Sequence, residues 1–155
     1  MVFNMKNYGF GKIVHELSHR PYEDQDYEMA RDWWQWHNKD KYGNEAILEK
    51  DLLPNTGTVV MQNKTPVCMG WTYMSNSKLA YISWVVSKPK LGPRARVVAT
   101  NQVIQNCEKI AEKMGARYIN ILSDKPGLSK IVDFAGFMPV KKHDLFVKVI
   151  EDDDI

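Results

Sequence analysis

From residue 93 onward apolar positions recur at helical spacing. Val97, Val98, Val103, Ile104, Cys107, Ile110, Ala111 and Met114 fall on one stripe, the 3.6-residue period of an amphipathic helix. Pro93 suits the first turn, where its missing N–H is no loss, and Gly115 suits the stop, where a positive φ is usual. Just upstream the period is two: Val67, Met69, Trp71 and Tyr73 alternate with Cys68, Gly70, Thr72 and Met74, which predicts a strand. Ser75-Asn76-Ser77-Lys78 supplies a hairpin turn. Leu79–Ser87 then returns as a run apolar on both faces, as a central strand covered on both sides requires. A short strand is predicted over residues 58–61, with a polar turn at 62–65.

Earlier in the chain the pattern is weaker. Residues 12–17 read as a first strand and residues 23–41 as a helix. Glu23, Asp24 and Asp26 crowd the first turn of that helix, where they complement its dipole, and Gly43 follows as a stop. Met29, Ala30, Trp33, Trp34 and Trp36 fit helical spacing but cover more than one face; three indoles in four positions cannot all point inward, so at least one is half exposed. Residues 44–56 predict a lid-like loop. After the long helix, residues 118–122 read as a short buried strand. Asp124-Lys125-Pro126 opens another helix that Gly136 closes, and residues 138–140 and 145–150 finish as strands. Strands alternating with long helices imply a mixed sheet flanked by helices, α/β or α+β.

With 155 residues, 44% of them hydrophobic and 26% charged, the chain can bury about 68–70% of its unfolded surface without a disulfide or metal staple. One domain over residues 1–150 is expected. No apolar run approaches the ~18–20 residues of a membrane helix, and no secretory apolar segment opens the chain. These features exclude a membrane-spanning helix, a secreted disulfide scaffold and a disordered chain, and lead us to expect a cytoplasmic protein. The net charge is +2; Glu151, Asp152, Asp153 and Asp154 form an acidic, solvated, disordered tail at 151–155. The body without them is mildly basic, which fits an anionic ligand and falls short of a nucleic-acid-binding signature. Cys68 and Cys107 lack a CxxC neighbour and are expected to be buried and reduced. His15 and His19, four apart on an expected strand and without a second ligand pair, make no metal site. Asn63-Lys64-Thr65 matches the glycosylation sequon by chance.

Three segments together carry a resemblance. The strand Leu79–Ser87 runs into Lys88-Pro89; the loop Lys90-Leu91-Gly92-Pro93-Arg94-Ala95-Arg96 opens a helix ending in Ala111-Glu112-Lys113-Met114-Gly115-Ala116; and Leu128-Ser129-Lys130-Ile131-Val132-Asp133-Phe134-Ala135-Gly136-Phe137 closes a last helix with a Gly-Phe pair. In these the chain resembles the GCN5-related N-acetyltransferase (GNAT) family, and is reminiscent of small divergent members encoded by bacteriophages. The resemblance implies a mixed, mostly antiparallel sheet flanked by helices and splayed between its fourth and fifth strands. It also implies acetyl-CoA as co-substrate and no metal. Lys90, Leu91, Gly92, Pro93, Arg94, Ala95 and Arg96 would then cradle the pyrophosphate at a helix N-terminus, and the backbone of Val85, Val86 and Ser87 would pair with the pantetheine arm. The family loop reads Gln/Arg-x-x-Gly-x-Gly/Ala; here the glycine stands at 92 and Pro93 removes one donor.

The same resemblance implies direct transfer to an amine of a small molecule or protein, and leaves a homodimer open. Ser83 stands where relatives often carry a carboxylate base, and Val132 where they carry an acidic tyrosine. Ser123 and Asp124, near the expected thiol, are the substitutes. Trp33, Trp34, Trp36, Tyr73 and Tyr81 would wall the acceptor side. The alternative is a GNAT-fold protein with weak or no transfer that binds CoA or a protein partner; an unrelated basic module binding nucleic acid is the remaining reading.

Overall fold

The computed structural model describes residues 16–42, 48–121 and 136–138, of which 40–42 by backbone alone. Among the described residues five strands form one sheet in chain order: β1 (Leu17–Pro21), β2 (Gly57–Gln62), β3 (Thr65–Met74), β4 (Leu79–Ser87) and β5 (Tyr118–Ile121). The pairs β1–β2, β2–β3 and β3–β4 are antiparallel, whereas β4 and β5 are parallel. The change of direction follows from the connections. Tight turns at Asn63-Lys64, both with positive φ, and at residues 75–78 reverse the chain, while a long helix carries it from β4 to β5, as a parallel pair demands. The architecture is mixed α+β with a mostly antiparallel sheet.

Two helices cover the sheet, α1 (Tyr27–Tyr42) on one face and α2 (Pro93–Lys113) on the other. Under α2 lie Val60, Val67, Cys68, Ile82, Ala99, Val103, Ile104 and Cys107, with Val85 packed against them. Under α1 lie Tyr22, Ala30, Trp33, Leu48, Val59, Met69, Trp71 and Val86. From Cys68 onward consecutive residues of β3 divide between the two clusters, Cys68 to one and Met69 to the other, as its period of two predicts, while Val67 joins Cys68 on the α2 side instead of Met69. Each fully buried Val, Ile or Met contributes about 1.5–3 kcal/mol. Gly70 lets α2 approach the sheet: a Cβ there would stand 2.5 Å from Val103 Cγ1. Polar bonds fix the same contact, Thr72 Oγ1 donating to the Cys107 carbonyl at 2.8 Å and Asn106 Nδ2 to Thr58 Oγ1 at 3.2 Å. Cys68 and Cys107 are buried free thiols, each pushed up to about 12 by burial.

Four expectations need correction. The first strand is Leu17–Pro21, not 12–17, of which residues 12–15 lie outside the described residues. Leu-Ser-His-Arg-Pro carries almost no apolar signal; its pairing with β2, from Leu17↔Gln62 to Pro21↔Thr58, makes it a strand. The helix expected from residue 23 begins as a 3₁₀ turn, Asp24–Asp26, before α1 starts at Tyr27. Asp26 is diverted from solvent to accept two bonds of 2.7 Å from the Arg20 guanidinium and one of 2.9 Å from the Glu23 N–H. Met114, placed on the apolar stripe, is exposed, because α2 has ended. β5 is not a buried strand: Tyr118 and Asn120 are exposed while Ile119 and Ile121 pack beneath α2. Among the described residues it has a strand neighbour on one side only.

The other boundaries agree with the expectations. β4 spans Leu79–Ser87 as read, α2 starts at Pro93, and Gly115 takes a φ of +93° behind it. Gly136 also has a positive φ, but the helix it was expected to close lies outside the described residues, as do residues 43–47, the strands expected at 139–150 and the tail at 151–155. Among the described residues no helix is long and apolar enough to cross a membrane.

Candidate functional site

The second half of β4 sets the geometry. β5 pairs with β4 only from Leu79↔Tyr118 to Ile82↔Ile121. Beyond Ile82, β4 continues for five residues with no β5 partner among the described residues. On its other side β4 stays paired with β3 to Cys68↔Ser87. On the β5 side, residues 83–87 have a backbone edge for which no strand partner stands among the described residues.

That edge carries a bulge. Met69 faces Val86 and Trp71 faces Ser83, so Trp84 and Val85 together oppose Gly70. Trp84 takes a φ of +60°, a left-handed conformation that costs a bulky residue roughly 1–3 kcal/mol and gathers at functional sites. The extra residue shifts the alternation. Ser83, opposite Trp71, lies on the α1 face; Trp84 lies on that face too, its ring 5.1 Å from Trp34 and nearly perpendicular to it; Val85 then returns to the α2 side and Val86 to the α1 side. Val85, Val86 and Ser87, the residues expected to pair with an extended ligand, all follow the bulge on that edge.

The chain next turns a cationic corner. Lys90 has a φ of +63°, and the Leu91 N–H donates back to the Lys88 carbonyl at 3.3 Å. Gly92 is the N-cap of α2 and Pro93 its first residue; no side chain caps the helix. The Arg96 N–H reaches the Gly92 carbonyl at 2.9 Å, but the amides of Arg94 and Ala95 precede the first possible intrahelical acceptor. Lys88, Lys90, Arg94 and Arg96 are exposed around them. Arg96 is partly committed, since its guanidinium donates to the Leu91 carbonyl at 3.1 Å and braces the loop. Leu91 anchors the same loop against the α2-side core. A Cβ on Gly92 would meet nothing within 4 Å and its φ is −59°, so neither packing nor backbone geometry requires glycine here. Two free amides, an open approach and at least three mobile cations fit a phosphate group.

Above the bulge, the α1 face is aromatic. Tyr73 and Tyr81 are cross-strand partners. The Tyr73 hydroxyl donates to the Leu52 carbonyl, and burial pushes its phenol up to about 12 against the opposing pull of Trp84; it is a fixed donor at neutral pH, and neither a base nor a ready acid. Tyr81 is 39% exposed. Of the three indoles, Trp33 is core, Trp34 is half-buried against Trp84, and Trp36 is 42% exposed, edge-on to His37, as the sequence required of at least one. Ser83 is half-buried beside this wall. Ser123 and Asp124, and the Val132 position, lie outside the described residues. His37 was expected on this helix beside the acceptor wall, but not its contact: its Nε2 stands 2.8 Å from the Ser87 carbonyl, between residues fifty apart, and no local pattern announces it. Among the described residues no three His, Cys, Asp or Glu side chains gather as a metal site.

No family profile and no curated protein matches this sequence. Solved structures do. An aminoglycoside acetyltransferase from an uncultured soil metagenomic sample, solved in complex with sisomicin, superposes with a TM-score of 0.64 at 13% identity, over 90% of this chain and 99% of its own. A protein of Mycobacterium tuberculosis in complex with CoA and NLQ gives 0.62 at 14%, over 83% and 76%. A GCN5-related N-acetyltransferase from Ralstonia eutropha gives 0.60 at 13%, over 84% and 98%. At such identities the likeness speaks for architecture, and it agrees with the mostly antiparallel sheet whose β4 and β5 are parallel: the chain has the fold of the GCN5-related N-acetyltransferases.

Proposed function

We propose that the protein transfers an acetyl group from acetyl-CoA to an amine of a small molecule or protein. The observation that carries this reading is the run of β4 beyond Ile82, its last residue with a β5 partner among the described residues, into the corner at Lys90 and the uncapped start of α2. A strand edge, a cationic turn and bare amides in that order suit an elongated ligand with amide groups at one end and a diphosphate at the other. The CoA complex among the structural neighbours supports it.

In this reading Arg94 and Ala95 offer their amides to the diphosphate, while Lys90 and Arg94 supply positive charge. The edge at Val85, Val86 and Ser87 aligns the arm, and the bulge at Trp84 sets the thioester beside Ser83 on the aromatic side. The attacking amine forms a C–N bond to the acetyl carbon as the C–S bond breaks; its proton leaves to water and the thiolate takes one up. A strand N–H at the bulge polarises the carbonyl. Ser83 holds the water that accepts the proton.

Weak transfer with retained CoA binding is the second reading, and Ser83 and Tyr73 favour it: one is a hydroxyl in place of a carboxylate, the other a phenol held near 12. A missing acid or base typically costs 10²–10⁴-fold. Calorimetry with acetyl-CoA tests both readings at once, and absence of binding at hundreds of micromolar would overturn them. Thiol release over a panel of amines then separates them: turnover with any amine selects transfer, and binding without release selects the second.

A further inference from the structure

We infer that His37 is a positioning residue for the arm of the acyl-CoA, holding the end of β4 in the orientation in which that arm pairs with it. The inference rests on the acyl-CoA reading above. It begins from one peptide unit. The Lys88 N–H donates to the Val67 carbonyl of β3 at 2.8 Å. In a planar trans peptide the preceding carbonyl points the opposite way, so the Ser87 carbonyl is directed away from β3, to the β5 side of β4. There His37 Nε2 meets it at 2.8 Å. A carbonyl can only accept, so Nε2 carries the hydrogen and the imidazole is the donor.

The carbonyl oxygen has a second lone pair. With one taken by a side chain rooted in α1, the peptide is held outward and the other remains for an N–H of an arm lying along residues 85–87. The contact also ties the helix of the aromatic wall to the strand that would carry the thioester, at its far end from the Trp34–Trp84 contact. α1 is thereby fixed to the second half of β4 at two points, one apolar at the bulge and one polar at the strand's last residue. Ordering the strand end before binding removes part of what the arm would otherwise have to order.

The test uses the full chain and two probes, CoA and adenosine 3′,5′-bisphosphate, which has the nucleotide phosphates without the arm. Calorimetry of His37→Ala should show CoA affinity reduced about three- to tenfold, the range of one net hydrogen bond, with bisphosphate affinity unchanged. His37→Gln, whose amide Nε2 can reach the same carbonyl, should restore CoA affinity to within about twofold of the parent. His37→Leu, measured in parallel, keeps the apolar volume without the donor and should behave as the alanine variant, so misfolding of one variant does not decide the outcome. Equal affinity of parent, alanine and leucine variants for CoA, or an equal loss for both probes, would overturn the role of His37 and leave the acyl-CoA reading standing. A parent protein that binds no CoA would overturn both.

Discussion

Trp84 occupies a backbone conformation that glycine or asparagine usually fills, and its side chain is the largest available. Two contacts hold it there: the edge of Trp34 at 5.1 Å, and Tyr73, whose hydroxyl is anchored on the Leu52 carbonyl. The conformation and the ring can be separated by truncation. Trp84→Ala and Trp84→Gly both lose the ring, but only glycine escapes the roughly 1–2 kcal/mol cost of a left-handed residue. Urea unfolding should find the glycine variant the more stable of the two by about 1 kcal/mol, the reverse of the order at an ordinary strand position. The reverse order would place Trp84 in relaxed backbone. Nothing in the sequence marks this residue: Ser83-Trp84-Val85-Val86 reads as uninterrupted strand, and the bulge exists only because β3 offers Gly70 alone to two residues of β4.

At the scale of elements, the junction of β4, the corner at Lys90 and α2 is where fold and site meet. Gly92 caps α2 with no side chain to bond its amides. Aspartate is among the best N-cap residues, worth about 0.5–2 kcal/mol over a non-capping side chain and a few tenths over glycine, and a Cβ at this position meets nothing. Gly92→Asp should therefore leave thermal stability equal or slightly higher. The same carboxylate takes the amides and repels phosphate, so CoA affinity should fall at least about tenfold. A variant that melts earlier, or binds CoA as well as the parent, would separate the helix start from ligand binding. This junction was legible in the sequence to the residue, from the strand's end at Ser87 to the helix's start at Pro93, because its signals are local: a change of apolar period from 2 to 3.6, and a proline where a helix loses no bond to it.

For the whole molecule, the Arg20–Asp26 pair joins the end of β1 to the turn before α1. Asp26 is 5% exposed, and the Arg20 guanidinium holds its carboxyl below the usual carboxylate range despite the opposing effect of burial. A depressed pKa stabilises the folded state above the unfolded value, near 3.9, and the contribution is lost as pH falls through the folded value. Asp26→Asn should thus be less stable than the parent near pH ~6, with the gap narrowing steadily below pH ~4; a gap independent of pH would mean that the pair carries no charge effect. β1 itself was misplaced at 12–17 for a related reason. Its five residues carry no apolar period, and it is a strand because β2 supplies the ladder and Asp26 takes its arginine. The sequence alone determined β3, β4 and α2 with the turns between them, that at least one indole of α1 is half exposed, and the basic corner, since all of these follow from periods and residue types a few positions apart. Tertiary structure alone decided that β1 begins at Leu17, that Trp84 turns onto the α1 face, and that His37 reaches Ser87. Those depend on partners tens of residues away, whose pairing is fixed by the packing of two cores against one sheet.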